Sequence, residues 1–314
     1  MPGLLATLRQ VHRRGGGDLS HTARQVGRTL LNRTRRVLRR FRSTDTITAT
    51  MPPSIRHAAD VALTRRFTAD EQSLISRVEE FRARLAGTTD EQLPSYSSPL
   101  PGSFRQAGDA HADPGPLVAS DIASHARTGA SGHTGVLLRR IAVGYDARDI
   151  LELGGNIGFS AYYLASAPIC RRLVTIEGSA ALSEIARSHL RTLPTGTDVT
   201  VMNALFDDAI DQLAAKGERF DLVYLDGQHE SEATLYYAGR VRQLLRPTGI
   251  IVFDDIYWSP DMLDGWQSIV RSESFPFTAD LGQVGVATVH GGPRSHVDIG
   301  RYTGRPAIAH PARG

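Results

Sequence analysis

From Asp149 onward the chain repeats one pattern: a short run of branched apolar residues, then a longer run with helical spacing. Strands are expected at Ile150–Leu153, Leu173–Ile176, Val199–Met202, Leu222–Leu225 and Ile250–Phe253. Helices fit between and after them, near 158–167, 180–193, 205–216, 231–245 and 260–271. Short apolar strands alternating with helices dictate a parallel sheet covered on both faces, because each crossover helix must bury its apolar stripe against the sheet. Two further strand-like runs, Phe277–Leu281 and Val284–Val289, are separated only by Gly282-Gln283. Two residues cannot make a parallel crossover, so the last strand must enter antiparallel. The expected fold class is therefore α/β, a doubly wound, mostly parallel sheet that ends in a β-hairpin.

The segments before and after this repeat read differently. Residues 1–42 hold eleven arginines and one acid, Asp18, a formal charge of +10. The remaining residues carry 25 basic and 32 acidic side chains, so the net +3 of the 314-residue chain hides a basic arm on an acidic body. Arg-rich amphipathic stretches bind anionic lipid or nucleic acid, or stay solvated. A basic helix fits from about Thr22 to Phe41, but Phe41 is the one aromatic residue there, so a base-stacking platform is not expected. Met51-Pro52-Pro53 ends the arm, and helical spacing follows from about Ile55 to Leu85, closed by Ala86-Gly87. Residues 88–118 are rich in Pro, Gly, Ser and Asp and read as a long loop. Short helices are expected near Val118–Arg127 and Thr134–Tyr145. The expected organisation is a basic, flexible arm over 1–50, a helical extension and loop over 51–117, a main domain over 118–290 and a disordered tail over 291–314.

Some classes are excluded early. No apolar run approaches the roughly 18 residues that a membrane-spanning helix needs. The arginines at the start have no apolar h-region behind them, which argues against a secretory signal. Cys170 is the single cysteine, so neither a disulfide framework nor a cysteine-based zinc site can form. A cytoplasmic location is the expectation, with the arm as a peripheral contact to membrane.

Chemistry concentrates where strands end. The first strand runs into Glu152-Leu153-Gly154-Gly155-Asn156-Ile157-Gly158-Phe159-Ser160. Glycines there permit a tight turn and a close approach of backbone to ligand beside a helix N-terminus. The spacing is not the three-glycine dinucleotide fingerprint, because Asn156 stands where a middle glycine would sit. Glu177, about 20 residues on and at a strand's carboxyl end, can accept hydrogen bonds from ribose hydroxyls. Asn203, at the end of the third strand, can read an adenine edge or cap the next helix.

Tyr224-Leu225-Asp226-Gly227-Gln228-His229 and Phe253-Asp254-Asp255-Ile256 close the next two strands. Three carboxylates at adjacent strand ends repel one another unless a cation, a proton or water intervenes. All-oxygen ligands without thiolates suit Mg²⁺, Mn²⁺ or Ca²⁺. A histidine at a helix N-terminus is biased toward its neutral form, the form a general base needs. Tyr257, Trp258 and Trp266 are assigned to packing, the commoner role of aromatics at such spacings.

Taken in order, ILELGGNIGFS, TIEGS, VMNALF, DLVYLDGQHE and IIVFDDIYW resemble the class I S-adenosylmethionine-dependent methyltransferases, closest to the catechol O-methyltransferase-like and macrocin-type branches. The resemblance covers about 118–290. It implies a Rossmann-like, seven-stranded sheet with an antiparallel last strand. It implies that Gly154, Gly155, Asn156, Gly158 and Ser160 surround the methionine part of the cofactor, and that Glu152 supports their loop. Glu177 would take the ribose hydroxyls, Asn203 and Ala204 would flank the adenine, and Asp226 would border the cofactor. Asp226, Asp254 and Asp255 would hold a divalent cation, Mg²⁺ or Mn²⁺. Asp255 departs from the catechol branch, which commonly has an amide there. His229, three residues after Asp226 as in macrocin-type enzymes, would be the catalytic base. The implied function is O-methylation of a small hydroxylated acceptor, a sugar, catechol or other diol, and self-association into a homo-oligomer is compatible with it. The alternative is a cofactor-binding interaction module with little turnover, tethered by its arm to anionic lipid or nucleic acid.

Overall fold

A computed structural model of the chain describes residues 51–88, 92–96, 115–291 and 293–300. The chain divides into units 1–50 and 51–314, and the described residues all belong to the second. The basic arm with its expected helix, residues 97–114 and residues 301–314 lie outside the described residues.

The helical spacing expected over 55–85 is two helices, α1 (Pro53–Thr64) and α2 (Ala69–Ala86). The break has a local cause. Arg65 turns left-handed at φ 56° and ends α1, and Thr68 restarts the helix through a capping box with Glu71. A hairpin follows, β1 (Gln92–Tyr96) antiparallel to β2 (Leu117–Asp121), built from segments read as loop and as the start of a helix. Pro94 obscures β1 in the sequence, since proline in a short run argues against a strand. Helices α3 (Ile122–Arg127) and α4 (Gly132–Gly144) complete this part.

Arg140 of α4 ties the extension down. Its Nε and Nη2 donate to Glu71 Oε1 and Oε2, both at 2.8 Å, and Nη1 donates to Asp60 at 3.2 Å. Arg82 of α2 donates to the carbonyls of Ala126, Thr128 and Ala130 at 2.7–2.8 Å, and its guanidinium lies 3.9 Å from the Phe159 ring centre. The extension thus fixes a segment that borders the functional cleft.

The repeating part forms β3 (Asp149–Leu153), α5 (Phe159–Ala165), β4 (Arg172–Glu177), α6 (Ala180–Leu190), β5 (Asp198–Asn203), α7 (Phe206–Ala215), β6 (Phe220–Leu225), α8 (Ser231–Val241), β7 (Leu245–Phe253) and α9 (Pro260–Arg271). It ends in β8 (Phe277–Asp280), β9 (Gly285–Thr288) and β10 (Ser295–Asp298). The main sheet has the order β5-β4-β3-β6-β7-β9-β8-β10. The five strands from β3 to β7 are parallel, and β9 runs antiparallel between β7 and β8, as the short Gly282-Gln283 turn requires. Residues of β3, β6 and β7 are buried on both faces, which accounts for their unbroken apolar runs.

The sheet has eight strands rather than seven, because Ser295–Asp298, read from sequence as part of a disordered tail, pairs in parallel with β8. Ser-His-Val-Asp is too short and polar to signal a strand. It is held by pairing and by a cross-strand contact of Thr278 Oγ1 with His296 Nδ1 at 2.9 Å.

Register decides where the chemistry sits. Leu153 pairs with Ile176 and with Leu225, Ile176 with Met202, and Leu225 with Phe253. The five central strands therefore end level. The residues that follow, Gly154, Glu177, Asn203, Asp226 and Asp254, stand in one row along the carboxyl edge, where open α/β sheets bind ligands.

Candidate active site

A cleft of about 640 Å³ opens on that edge. Gly154, Gly155, Asn156, Ser160, Glu177, Ala204, Asp226, His229, Asp254 and Asp255 all line it. Glu152, Gly158 and Asn203 are not among its lining residues. Gly158 has φ 86° and begins α5. Asn203 Nδ2 donates to the carbonyls of Glu177 and Gly178, both at 2.9 Å, so it braces the turn after β4.

Gly154 is where the strand ends cross most closely. Its φ is 99°, and a Cβ there would lie 1.9 Å from the Asp226 carbonyl oxygen. Only glycine fits, and the contact packs the β3 turn against the β6 turn. The next residue but one, Asn156, is left-handed at φ 44° and donates its N–H to Glu177 Oε2 at 2.9 Å. Ser179 N–H donates to Glu177 Oε1 at 2.8 Å. Burial raises the Glu177 carboxyl above its ordinary value, and these backbone donors oppose the rise. A carboxylate accepts more than one donor per oxygen, so Glu177 retains capacity for hydroxyls from the cleft.

Glu152 lies beneath the glycine turn, fully buried, and accepts from Thr175 Oγ1 at 2.5 Å. Burial pushes its carboxyl up to about 7, against the hydroxyls of Ser160 and Thr175.

The β6 and β7 ends form an acidic centre. Asp226 N–H donates to Leu153 O at 2.9 Å and Asp254 N–H to Leu225 O at 3.0 Å, which continues the ladders one residue beyond the strands. Burial, then the charges of Glu152 and Asp255, push the Asp226 carboxyl up to about 8. Asp254 is raised well above its ordinary value by burial and then by Asp226 and Asp255. Asp254 Oδ1 is buried without a hydrogen-bond partner. Asp255, left-handed at φ 49°, accepts from Gln283 Nε2 at 2.7 Å. His229 Nε2 stands 3.9 Å from Asp226 Oδ1 and 4.0 Å from Asp255 Oδ2. Among the described residues, no group of three or more His, Cys, Asp or Glu side chains is arranged to hold a metal ion. Non-glycine residues in left-handed backbone, here Asn156, Gln228 and Asp255, cluster at functional sites because surrounding packing must hold them there.

The cleft has walls that sequence reasoning did not supply. Tyr96 comes from the hairpin, and His125, Arg127, Thr128 and Gly129 come from α3 and the turn after it. His125 Nε2 lies 2.6 Å from Ser120 Oγ, which lies 2.7 Å from Ser95 Oγ. Burial lowers the His125 pKa, with Asn156 and Asp121 opposing. Trp258 is 69% exposed, lines the cleft and lies 5.8 Å from the His229 ring. Trp266 packs in the core as expected, and the Tyr257 hydroxyl donates to Asp280. What separates Trp258 is its place in the β7–α9 turn, two residues before the Pro260 that begins α9.

Residues 151–256 match the profile of a family described as a methyltransferase domain. The chain is 34% identical over 150 residues to a catechol O-methyltransferase of Mycobacterium tuberculosis, covering 48% of this chain and 66% of that protein. It is 33% identical over 132 residues to the catechol O-methyltransferase domain-containing protein 1 of Mus musculus, covering 40% and 49%. Among solved structures, the O-methyltransferase TomG of Streptomyces achromogenes in complex with SAM is 25% identical, with 52% and 82% covered and a TM-score of 0.43. The O-methyltransferase of Bacillus cereus in complex with SAH is 20% identical, with 79% and 100% covered and a TM-score of 0.48. The chain spans about half to two thirds of the length of the curated relatives it matches. No helix among the described residues is long and apolar enough to cross a membrane. Residues 151–256 thus match a methyltransferase domain, and the chain is similar to catechol O-methyltransferases over part of their length.

Proposed function

We propose that the protein transfers the methyl group of S-adenosylmethionine to an oxygen of a small hydroxylated acceptor, with help from a divalent cation. The observation that carries this reading is the meeting of Asp226, His229, Asp254 and Asp255 with the Gly154-Gly155-Asn156 turn and Glu177 in one cleft. Such an assembled set is what turnover requires, and it favours an enzyme over a binding module.

The type of donor, though not its arrangement among the described residues, suits a hard cation. Asp226, Asp254 and Asp255 offer oxygen ligands only, and Asp254 Oδ1 is a buried carboxylate oxygen left without a partner. When bound, S-adenosylmethionine supplies an electrophilic methyl group on a sulfonium, and the cation supplies positive charge beside the acceptor oxygens. Glu177 would hold the ribose hydroxyls, and the glycine turn would admit the methionine portion close to backbone. Glu152 keeps that turn in place through Thr175. With cofactor and acceptor bound, His229 Nε2 would be the group placed to accept the acceptor's proton. Asp226 Oδ1 and Asp255 Oδ2 stand 3.9 and 4.0 Å from that nitrogen, close enough to orient the ring. The cleft's main contribution is alignment, since two reactants held in line avoid most of the entropic cost of meeting.

The test is a methyl-transfer screen over diol-containing small molecules, with Mg²⁺, with Mn²⁺ and with EDTA. Transfer to oxygen that EDTA stops and metal restores is the expected result. Transfer indifferent to EDTA would remove the cation and leave the methyltransferase, and no transfer to any hydroxylated acceptor would remove the O-methylation reading.

A further inference from the structure

We infer that the β1–β2 hairpin, which lies outside the matched domain, closes the nucleoside end of the cleft, with Tyr96 as the contact for the purine ring. The inference rests on the proposed use of S-adenosylmethionine.

Tyr96 stands where a base must go if Glu177 takes the ribose. It lines the same cleft as Glu177, Gly178, Ala204 and Leu205. A Cβ on Gly178 would meet the Tyr96 ring at 3.0–3.1 Å and Leu205 Cδ2 at 3.5 Å. The ring therefore lies against the Gly178 backbone, one residue beyond the Glu177 carboxylate. Any side chain at 178 would displace it.

The residue expected to read the base is already engaged. Both donor contacts of the Asn203 amide go to the carbonyls of Glu177 and Gly178. Tyr96, Ala204 and Leu205 are then the apolar side chains beside that turn, with Phe206, Asp207 and Asp208 lining the cleft next to them. The Tyr96 ring suits the flat face of a purine, because stacking on an aromatic ring needs no edge hydrogen bonds.

The hairpin is docked rather than free. The Ser179 hydroxyl donates to Pro94 O, which anchors β1 to the turn after β4. Ser95 and Ser120 link the two strands at 2.7 Å, and Ser120 reaches His125 on the cleft wall at 2.6 Å. Yet Tyr96 remains 39% exposed, and its cross-strand partner Leu117 is exposed as well. An apolar ring left half open beside a ribose-binding carboxylate is a surface that a ligand would cover.

The experiment is calorimetry of the full chain with S-adenosylhomocysteine and, separately, with adenosine. Tyr96→Ala should weaken both by a similar factor of about ten, the scale of one lost base–aromatic stack. Tyr96→Phe should bind both within about twofold of the wild type, since the ring and not the hydroxyl makes the contact. Hydrogen exchange at 92–96 and 117–121 should slow when S-adenosylhomocysteine is bound. A Tyr96→Ala variant that binds both ligands like the wild type overturns the inference while the cofactor assignment stands. A loss confined to S-adenosylhomocysteine, with adenosine unchanged, also overturns it, because the ring would then act elsewhere than on the base. If the wild type binds neither ligand, the cofactor reading itself falls and takes the inference with it.

Discussion

Gly154→Ala should disable the cleft from its hinge. A residue with a Cβ at φ 99° leaves the comfortable backbone regions, which costs of order 1–3 kcal/mol. The added carbon would also sit 1.9 Å from the Asp226 carbonyl oxygen, far inside van der Waals contact. That oxygen belongs to backbone, pinned by the Asp226 N–H to Leu153 O bond at 2.9 Å, so it cannot swing aside as a flexible side chain would. Overpacking of this kind adds about 1–3 kcal/mol. The total, about 2–6 kcal/mol, is a large share of the 5–15 kcal/mol typical of a folded domain. Gly217→Ala supplies the control, since Gly217 has φ 69° but nothing within 4 Å of its Cβ position. It should lose only the backbone cost, near 1 kcal/mol. Urea unfolding reads both stabilities, and calorimetry with S-adenosylhomocysteine reads the cleft. Gly154→Ala should be the less stable variant by at least 1 kcal/mol and should bind more weakly. Equal stabilities with unchanged affinity would refute the claim that the β3 and β6 turns are locked together at this point.

Three further outcomes follow from the same geometry. His229→Ala should lower turnover about 10²–10⁴-fold with cofactor affinity intact, and raising the pH should restore part of it, because hydroxide then takes the proton; pH–rate profiles of wild type and variant check this. Trp258→Ala should leave the unfolding midpoint nearly unchanged, since the ring is exposed, but raise the acceptor KM, which steady-state kinetics would reveal. Glu71 is buried, which alone would raise its carboxyl, but the Arg140 fork and the Thr68 cap hold it below its ordinary 4.5. A lowered native pKa adds stability above the unfolded value and loses it as the pH falls through the native one. Glu71→Gln should therefore cost about 1.5–3 kcal/mol at pH 7, with the gap to wild type closing below about pH 4.5 in acid-unfolding curves.

The central sheet was legible because its signal is redundant: five buried apolar runs, each followed by a helix-length crossover, admit few arrangements. Strand ends then located the chemistry, since register alone sets Gly154, Glu177, Asp226 and Asp254 in a row. What escaped notice depends on partners far away in sequence. The hairpin strand Gln92–Tyr96 contains Pro94 and shows no alternation, and it becomes a strand by pairing with Leu117–Asp121. Ser295–Asp298 is likewise a strand by virtue of its neighbour β8. Trp258 and Trp266 look alike in sequence, but one caps the cleft and the other fills the core, a difference set by the turn that ends at Pro260. Asn203 stands at its expected strand end, while the partners of its amide depend on how the turn after β4 folds, which no local pattern encodes.

The most direct measurement is calorimetry of S-adenosylmethionine binding to the full chain, alongside Glu177→Ala and alongside NAD as a competing dinucleotide. One molecule of S-adenosylmethionine should bind per chain. Glu177→Ala should weaken it by about 1.5–3 kcal/mol for a lost charge-assisted hydrogen bond, roughly ten- to hundredfold, and NAD should give no heat. Tight NAD binding with no response to S-adenosylmethionine would contradict the assignment of the cleft.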